Sequence, residues 1–316
     1  MISFQRTCPA SVEALPGSPD LSPTSASEKT GTVKALKKIS SSKFPIFLAY
    51  ASDIGRHSAM KIFPYSNGKI NDSYLNESRF SSLVHPNIIS CYKCEPLQKT
   101  KKNGKSFYSS YILMELAKND FGNLLNLVDF SSDEKLVRTY FHQMVDAVEY
   151  LHSKGIAHMD LKPENFLLSE DFRLKVTDFD LAYQEGDTFL RGQGSINYRA
   201  PETINKNCKV PFSADIFSLG VCLFLLRVGH MPYLENEKIL GKDFFDLLLN
   251  DLNGFWRCQA EISEEVQSLS DSFKNLFESL VHKDPQRRAT IQDIKNSEWY
   301  QGPIYSFEEL SQIMLV

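Results

Sequence analysis

The sequence predicts an α+β fold of two lobes, a small β-rich lobe followed by a larger helical one, with a cleft between them. Two observations carry that prediction. Apolar residues from Val33 to Met114 fall in short extended runs, whereas beyond Glu115 they recur at the spacing of amphipathic helices. No internal repeat is present.

In the first half, Ile46 to Tyr50, Ser58 to Phe63, Ile88 to Tyr92 and Ser106 to Leu113 read as strands, and Asn103-Gly104 marks a turn before the last of them. One helix, from Asp72 to Leu83, interrupts them. The clearest helix of the second half runs from Asp133 to Ser153. Leu136, Tyr140, Phe141, Met144, Ala147, Val148 and Leu151 share its apolar face, and Ser131 with Glu134 reads as a capping box at its start. Further helical patterns cover Ala214 to Leu226, Phe244 to Leu252, Glu264 to Val281 and Ile291 to Ser297. Residues 11 to 31 are rich in Ser, Pro, Thr and Gly, with too few large apolar side chains to offset the entropy of ordering. A disordered tail is expected there, and Ser18-Pro19 and Ser22-Pro23 within it are candidate sites for proline-directed phosphorylation.

The 316 residues are 42% hydrophobic and 12% aromatic, enough to fill a sizeable core. The 35 Lys and Arg against 39 Asp and Glu leave a net charge of -4, which provides no basic footprint for nucleic acid or for an anionic membrane. Six cysteines in a chain of this length do not form the dense framework of a small secreted domain. Met1 to Arg6 is followed by Thr7, Cys8 and Pro9 where a secretory signal would have an apolar run, and the longest apolar stretch, Val221 to Leu226, is far short of the roughly 20 residues of a membrane span. An intracellular protein, most simply cytoplasmic with the nucleus also open to it, is expected. No partner membrane or nucleic acid is expected, and the sequence leaves the oligomeric state open.

The chemistry-bearing residues cluster between His158 and Glu202. His158-Met159-Asp160-Leu161-Lys162-Pro163-Glu164-Asn165 is followed by Asp178-Phe179-Asp180 and Ala200-Pro201-Glu202, with apolar runs Phe166 to Leu168 and Leu174 to Val176 beside them. Two carboxylates, an amide and a lysine on short loops suit magnesium and phosphate. The ion takes oxygen ligands from one or two side chains, a lysine neutralises developing charge, and a carboxylate accepts a hydroxyl proton.

These motifs resemble those of the eukaryotic protein kinase family, whose catalytic loop H-R-D-x-x-x-x-N precedes D-F-G and A-P-E. The resemblance extends over roughly residues 33 to 300 and implies a protein kinase domain at 33–303. Its β-rich lobe would be 33–114, its hinge 115–120 and its helical lobe 121–303, with tails at 1–32 and 304–316. It implies ATP and Mg2+ as cofactors, Asp160 as catalytic base, Lys162 on the transferred phosphoryl, and Asn165 and Asp178 as magnesium ligands. Ser58-Ala59-Met60-Lys61 resembles V-A-I-K, making Lys61 the partner of the α- and β-phosphates and Glu77 its ion-pair partner, one residue off the usual spacing to His85-Pro86-Asn87-Ile88. Met114 and Glu115 resemble gatekeeper and first hinge residue, with backbone groups of Glu115 and Ala117 for adenine and Asp120 for the ribose. Asp215 is implied to brace the catalytic loop, and Glu202 to pair with Arg288. Lys162-Pro163-Glu164-Asn165, with Ser195 where the family usually has threonine, implies a Ser/Thr enzyme acting on protein substrates. The lobes are most similar to the calcium/calmodulin-dependent kinase group, although no EF-hand loop is present.

The sequence departs from the family in three places. Where G-x-G-x-x-G belongs it reads Ser40-Ser41-Ser42-Lys43-Phe44-Pro45. Glycines let backbone N–H groups approach phosphates, and Pro45 has no N–H; at about 1.5–3 kcal/mol per charged hydrogen bond, ATP affinity is expected to fall by one or two orders of magnitude. Asp180 replaces the glycine of D-F-G, a position of unusual backbone angles that Asp tolerates better than most residues. Met159 replaces the arginine that normally pairs with a phosphorylated activation loop, so a phosphate at Thr188 would lack its usual partner and a weaker dependence on loop phosphorylation is expected. These departures motivate a rival reading, a pseudokinase that binds partners and transfers nothing; Lys61, Asp160, Lys162, Asn165 and Asp178 weigh against it. Cys91-x-x-Cys94 has no second ligand pair at zinc spacing, and on an extended strand its thiols are expected on opposite faces.

Overall fold

In the computed structural model, residues 2–3, 32–40, 43–102, 105–204, 209–234, 238–239 and 241–314 are described, and they form two units. The segment 11–31 with its Ser-Pro pairs, and the Asn103-Gly104 turn, lie outside the described residues. The first unit is Met1–Ser82 with Ser90–Leu116, and the second is Leu83–Ile89 with Ala117–Val316.

The first unit is an antiparallel sheet of β1 (Ile2–Ser3), β2 (Val33–Ser40), β3 (Ile46–Ala51), β4 (Arg56–Pro64), β5 (Cys91–Lys102) and β6 (Lys105–Met114), in the order β1-β2-β3-β4-β6-β5, with helix α1 (Asp72–Ser78) between β4 and β5. β4 is buried at four consecutive residues, Ser58 to Lys61. Met60 faces a core of Val33, Ala49, Ala51, Tyr111 and Leu113, while Phe63, on the alternate face, meets Tyr74 of α1 edge-on at 5.5 Å. Asn71 caps α1 by accepting from the Ser73 N–H at 2.9 Å. The helix ends at Ser78, earlier than the predicted Leu83, because Phe80 and Ser81 continue as tight turns onto the carbonyls of Glu77 and Ser78.

Strand β5 begins at Cys91 and not at the predicted Ile88. Ile89 donates its N–H to the Val176 carbonyl at 2.9 Å and Val176 donates to Asn87 at 2.8 Å, which ties 87–89 into the second unit. Register shifts between Cys91 and Lys93, and between Glu95 and Gln98, mark bulges in β5.

The second unit opens with β7 (Asn119–Asp120), α2 (Phe121–Leu125) and α3 (Glu134–Ser153). Four short strands follow, β8 (Ile156–Ala157), β9 (Phe166–Leu168), β10 (Leu174–Val176) and β11 (Tyr183–Gln184), pairing in the orders β10-β9-β7 and β11-β8. The helices α4 (Pro201–Ile204), α5 (Pro211–Val228), α6 (Phe244–Asn250), α7 (Leu252–Ile262), α8 (Glu264–Gln267), α9 (Asp271–Leu280), α10 (Ile291–Asn296) and α11 (Phe307–Met314) complete it. The predicted capping box of α3 does not form. Asp133 is the N-cap, accepting from the Leu136 N–H at 3.0 Å, while the Ser131 hydroxyl turns back to Asp129 and Glu134 pairs with Arg138. The pattern from Glu264 to Val281 is two helices, since Ser270 caps α9 from an extended conformation. Helix α7 was not anticipated; Asp251 ends α6 and caps α7 with no linker between them.

Helix α5, at 18 residues with a mean hydropathy of 1.6, is longer than the apolar stretch read from the sequence and meets the length and apolarity of a membrane span. Burial inside its own unit accounts for this composition, because 83% of it is covered. It packs against α3 and α9, and at Gly220 the approach is close enough that a Cβ would lie 2.7 Å from Val281 and 2.8 Å from Leu280.

Candidate active site

In the first unit, Lys61 points from β4 and Glu77 from α1, and their charged ends meet at 2.6 Å with each residue over 90% buried. Phe44 and Phe63 pack with ring centroids 4.6 Å apart and planes tilted by 46°, and the Lys61 ammonium lies 5.7 and 5.2 Å from their ring centroids. Of the segment that replaces the family's glycines, Ser41 and Ser42 lie outside the described residues. Phe44 is buried, the Pro45 carbonyl accepts from Ile62 at 3.0 Å, and Lys43 reaches Ser73 at 3.3 Å. Side chains thus anchor this turn onto β4 and α1, where glycines would leave bare backbone. Glu115 donates its N–H to the Ser90 carbonyl at 2.8 Å, so a base read at this residue has to be read through its carbonyl.

In the second unit, a single loop gathers the catalytic candidates. Asp160 Oδ1 accepts from the Ser195 N–H at 2.7 Å; Oδ2 accepts from Asn165 Nδ2 at 3.1 Å and faces Lys162 Nζ at 3.1 Å. Lys162 also donates to the Ser195 hydroxyl at 2.6 Å, and Asn165 Nδ2 to the Asp160 carbonyl at 2.7 Å. The sequence pointed to Ser195 only as a family-like residue, not to its amide holding Asp160. Gly194 makes that approach possible, since it has φ +78° and a Cβ there would lie 2.6 Å from the Met159 carbonyl. Asp178 has φ +65°, and the amide of its neighbour Thr177 donates to the Asn165 carbonyl at 2.9 Å.

The loop is held from below by Asp215 on α5. This fully buried carboxylate accepts from the backbone N–H groups of His158 and Met159, each at 2.8 Å, and meets His152 Nε2 at 3.0 Å. The Asp215 contacts make the φ of +67° at Met159 tenable. His158 bridges to Thr177 O through Nε2 at 2.9 Å and accepts from the Asp160 N–H at Nδ1, which sets the Nε2–H tautomer. His152 was not foreseen; nothing in its local sequence sets it apart from other polar residues of α3. Arg288 forks onto Glu202 at 2.6 and 3.0 Å and donates to the Ser213 and His282 carbonyls, so the start of α4 is fixed to α5. Asp120 caps α2, its carboxylate accepting from the Asn123 N–H at 2.7 Å.

A family model for the protein kinase domain matches residues 38–300. The chain belongs to the protein kinase domain family. Among its relatives, CBL-interacting protein kinase 11 of Oryza sativa subsp. japonica is 33% identical over 70% of this chain and 40% of its own length. CBL-interacting serine/threonine-protein kinase 24 of Arabidopsis thaliana is 33% identical over 82% of this chain and 55% of its own. CBL-interacting protein kinase 30 of Oryza sativa subsp. japonica is 36% identical over 64% and 41%. This kinase domain therefore spans about half the length of the relatives it matches. Its departures from the family pattern also find places in the structure. The left-handed backbone falls at Asp178 and Met159, not at Asp180, which removes the steric need for the glycine expected there. Met159 is buried, as an apolar side chain can be, and Thr188 is exposed.

Proposed function

We propose that this domain transfers the γ-phosphate of ATP to serine or threonine hydroxyls of protein substrates inside the cell. One observation carries the reading: Asp160 is held by the Asn165 amide and the Lys162 ammonium of its own loop and by the backbone N–H of Ser195, a carboxylate oriented by donors at both oxygens. In this reading Asp160 orients the substrate hydroxyl and accepts its proton, and Lys162, already against Asp160 and Ser195, neutralises charge on the transferred phosphoryl. Lys61, positioned by Glu77, holds the α- and β-phosphates, while Glu115 and Ala117 read adenine by their backbones and Asp120 reaches the ribose.

The donor set suits Mg2+. Asn165 spends its Nδ2 on Asp160 and leaves Oδ1 as an oxygen donor, and Asp178 supplies a carboxylate. Among the described residues no three His, Cys, Asp or Glu side chains gather at metal-binding distance, so an ion here would draw most of its ligands from phosphate oxygens and water. When bound, Mg2+ would supply positive charge that neutralises the phosphates.

The test is transfer of labelled phosphate from ATP with Mg2+ to a generic basic protein. Asp160→Asn keeps the size and shape of the side chain but removes the base, and is expected to lower the rate by about 10²-fold or more. Negligible labelling by both proteins would replace this reading with a binding module that transfers nothing.

A further inference from the structure

Cys91 and Cys94 were expected on opposite faces of a regular strand. The bulge at Tyr92 overturns this: Cys91 pairs with Met114 and Cys94 with Ile112, positions two apart on β6 and therefore on one face. Their sulfurs lie 3.6 Å apart. Their partners Met114 and Ile112 are two residues apart on β6, a Cα separation of about 6.7 Å, at the upper end of the roughly 4.4–6.8 Å that a disulfide bridges. Both thiols are half-buried and unbridged. Among the described residues no third Cys, His, Asp or Glu joins them, which sets the pair apart from a metal site.

We propose that Cys91 and Cys94 are a redox-active dithiol that hydroperoxides oxidise to an intrachain disulfide. The two thiols differ. The hydrogen bond from Cys91, helped by one from Ser81 just beyond α1, lowers the Cys94 thiol to about 7, whereas the same bond and burial push Cys91 up. The Leu113 carbonyl, 3.8 Å from Cys91 Sγ, is an alternative acceptor for its one proton. Cys94 thiolate is thus the nucleophile and Cys91 the resolving thiol. Attack of Cys94 on the peroxide forms an S–O bond and breaks O–O, giving a sulfenic acid and an alkoxide that takes a proton from solvent. Cys91 sulfur then attacks Cys94 sulfur, the S–O bond breaks, and hydroxide leaves as water with the Cys91 proton. Two thiols lose two electrons, and one hydroperoxide becomes an alcohol and a water. The bridge would form beside α1, whose Glu77 is close enough for its charge to act on Cys91.

The experiment uses the full chain treated with hydrogen peroxide, alkylated, and digested with trypsin, which cuts after Lys93 between the two cysteines. The expected result is a pair of peptides joined until dithiothreitol separates them. Cys91→Ser should instead leave a Cys94 sulfenic acid trapped by dimedone, and Cys94→Ser should leave Cys91 open to iodoacetamide. If the wild-type peptides emerge separate and alkylated at a peroxide dose that fully oxidises glutathione, or joined to peptides holding Cys8 or Cys208, the dithiol is not the reacting unit. None of these readouts depends on phosphoryl transfer, so they stand or fall separately from the kinase reading.

Discussion

At the scale of single residues, the Lys61–Glu77 pair separates a structural role from a chemical one. Both groups are almost wholly buried and 2.6 Å apart, so removing one takes from the other its close ion-pair partner in a buried place. Glu77→Ala is expected to lower the stability of the first unit by about 3–5 kcal/mol, whereas Lys61→Met with Glu77→Leu, two apolar side chains of similar volume, should come close to the wild type. Amide hydrogen exchange in β4 and α1 measures both. Phosphoryl transfer should be lost in either protein, because the double variant restores packing without an ammonium. Activity surviving in the double variant would show that Lys61 is there only to fill the core. The loop residues Asp160, Lys162 and Asn165 could be read in the sequence because six consecutive positions carry them on one turn of chain. Asp215 and Ser195 needed the family pattern, and the Ser195 amide and His152 needed the fold, since a backbone donor and an ordinary helix histidine leave no mark in composition.

At the scale of elements, the start of α3 shows what patterning can and cannot reveal. Its apolar face follows directly from the period, but the choice of cap does not, since Ser131 and Asp133 both precede the helix and both are good caps. The structure selects Asp133, whose other oxygen accepts from the Tyr305 hydroxyl at 2.8 Å and so ties the helix start to the chain before α11. Asp133→Ala is therefore expected to cost about 1–2 kcal/mol of unfolding free energy. Ser131→Ala should stay within about 0.5 kcal/mol, a surface change away from the cap. Urea unfolding measures both, and a larger loss in Ser131→Ala would restore the capping box. The misplaced start of β5 has a different cause. Ile88 and Ile89 are β-branched and read as strand, yet their backbone partner is Val176, a contact distant in sequence that no local window contains. The bulge at Tyr92 is as hard to read, because one extra residue shifts which side chains face together without altering the apolar content of the strand.

At the scale of the whole molecule, the two units differ in what acid should do to them. His85 and His142 lie in the second unit, and burial lowers the pKa of both from 6.5. His142 stacks on Tyr300 at 3.6 Å with Nε2 on the Tyr300 carbonyl at 2.9 Å, facing Asp146, Arg138 and Lys295; His85 stacks on Tyr150 near Asp146, Glu149 and Arg173. The folded state holds these rings neutral, while the unfolded chain protonates them near 6.5, so the unfolded state binds more protons and stability falls as pH drops below that value. The carboxylates held below their usual range, Asp129 and Asp293 by hydrogen bonds from Ser131 and Thr290 and Glu261 by Lys242, act in a separate window, since their contribution is lost only as pH falls below 4.5 for Glu261 and 3.8 for the aspartates. Both tryptophans, Trp256 and Trp299, also belong to the second unit, so their fluorescence reports its unfolding. The urea midpoint followed this way should fall between about pH 7.5 and about pH 5. The double variant His85→Gln, His142→Gln should flatten that slope while leaving the steeper loss at lower pH intact. A midpoint that holds or rises across the upper window would mean that the charged neighbours of the two rings, and not their burial, decide their protonation.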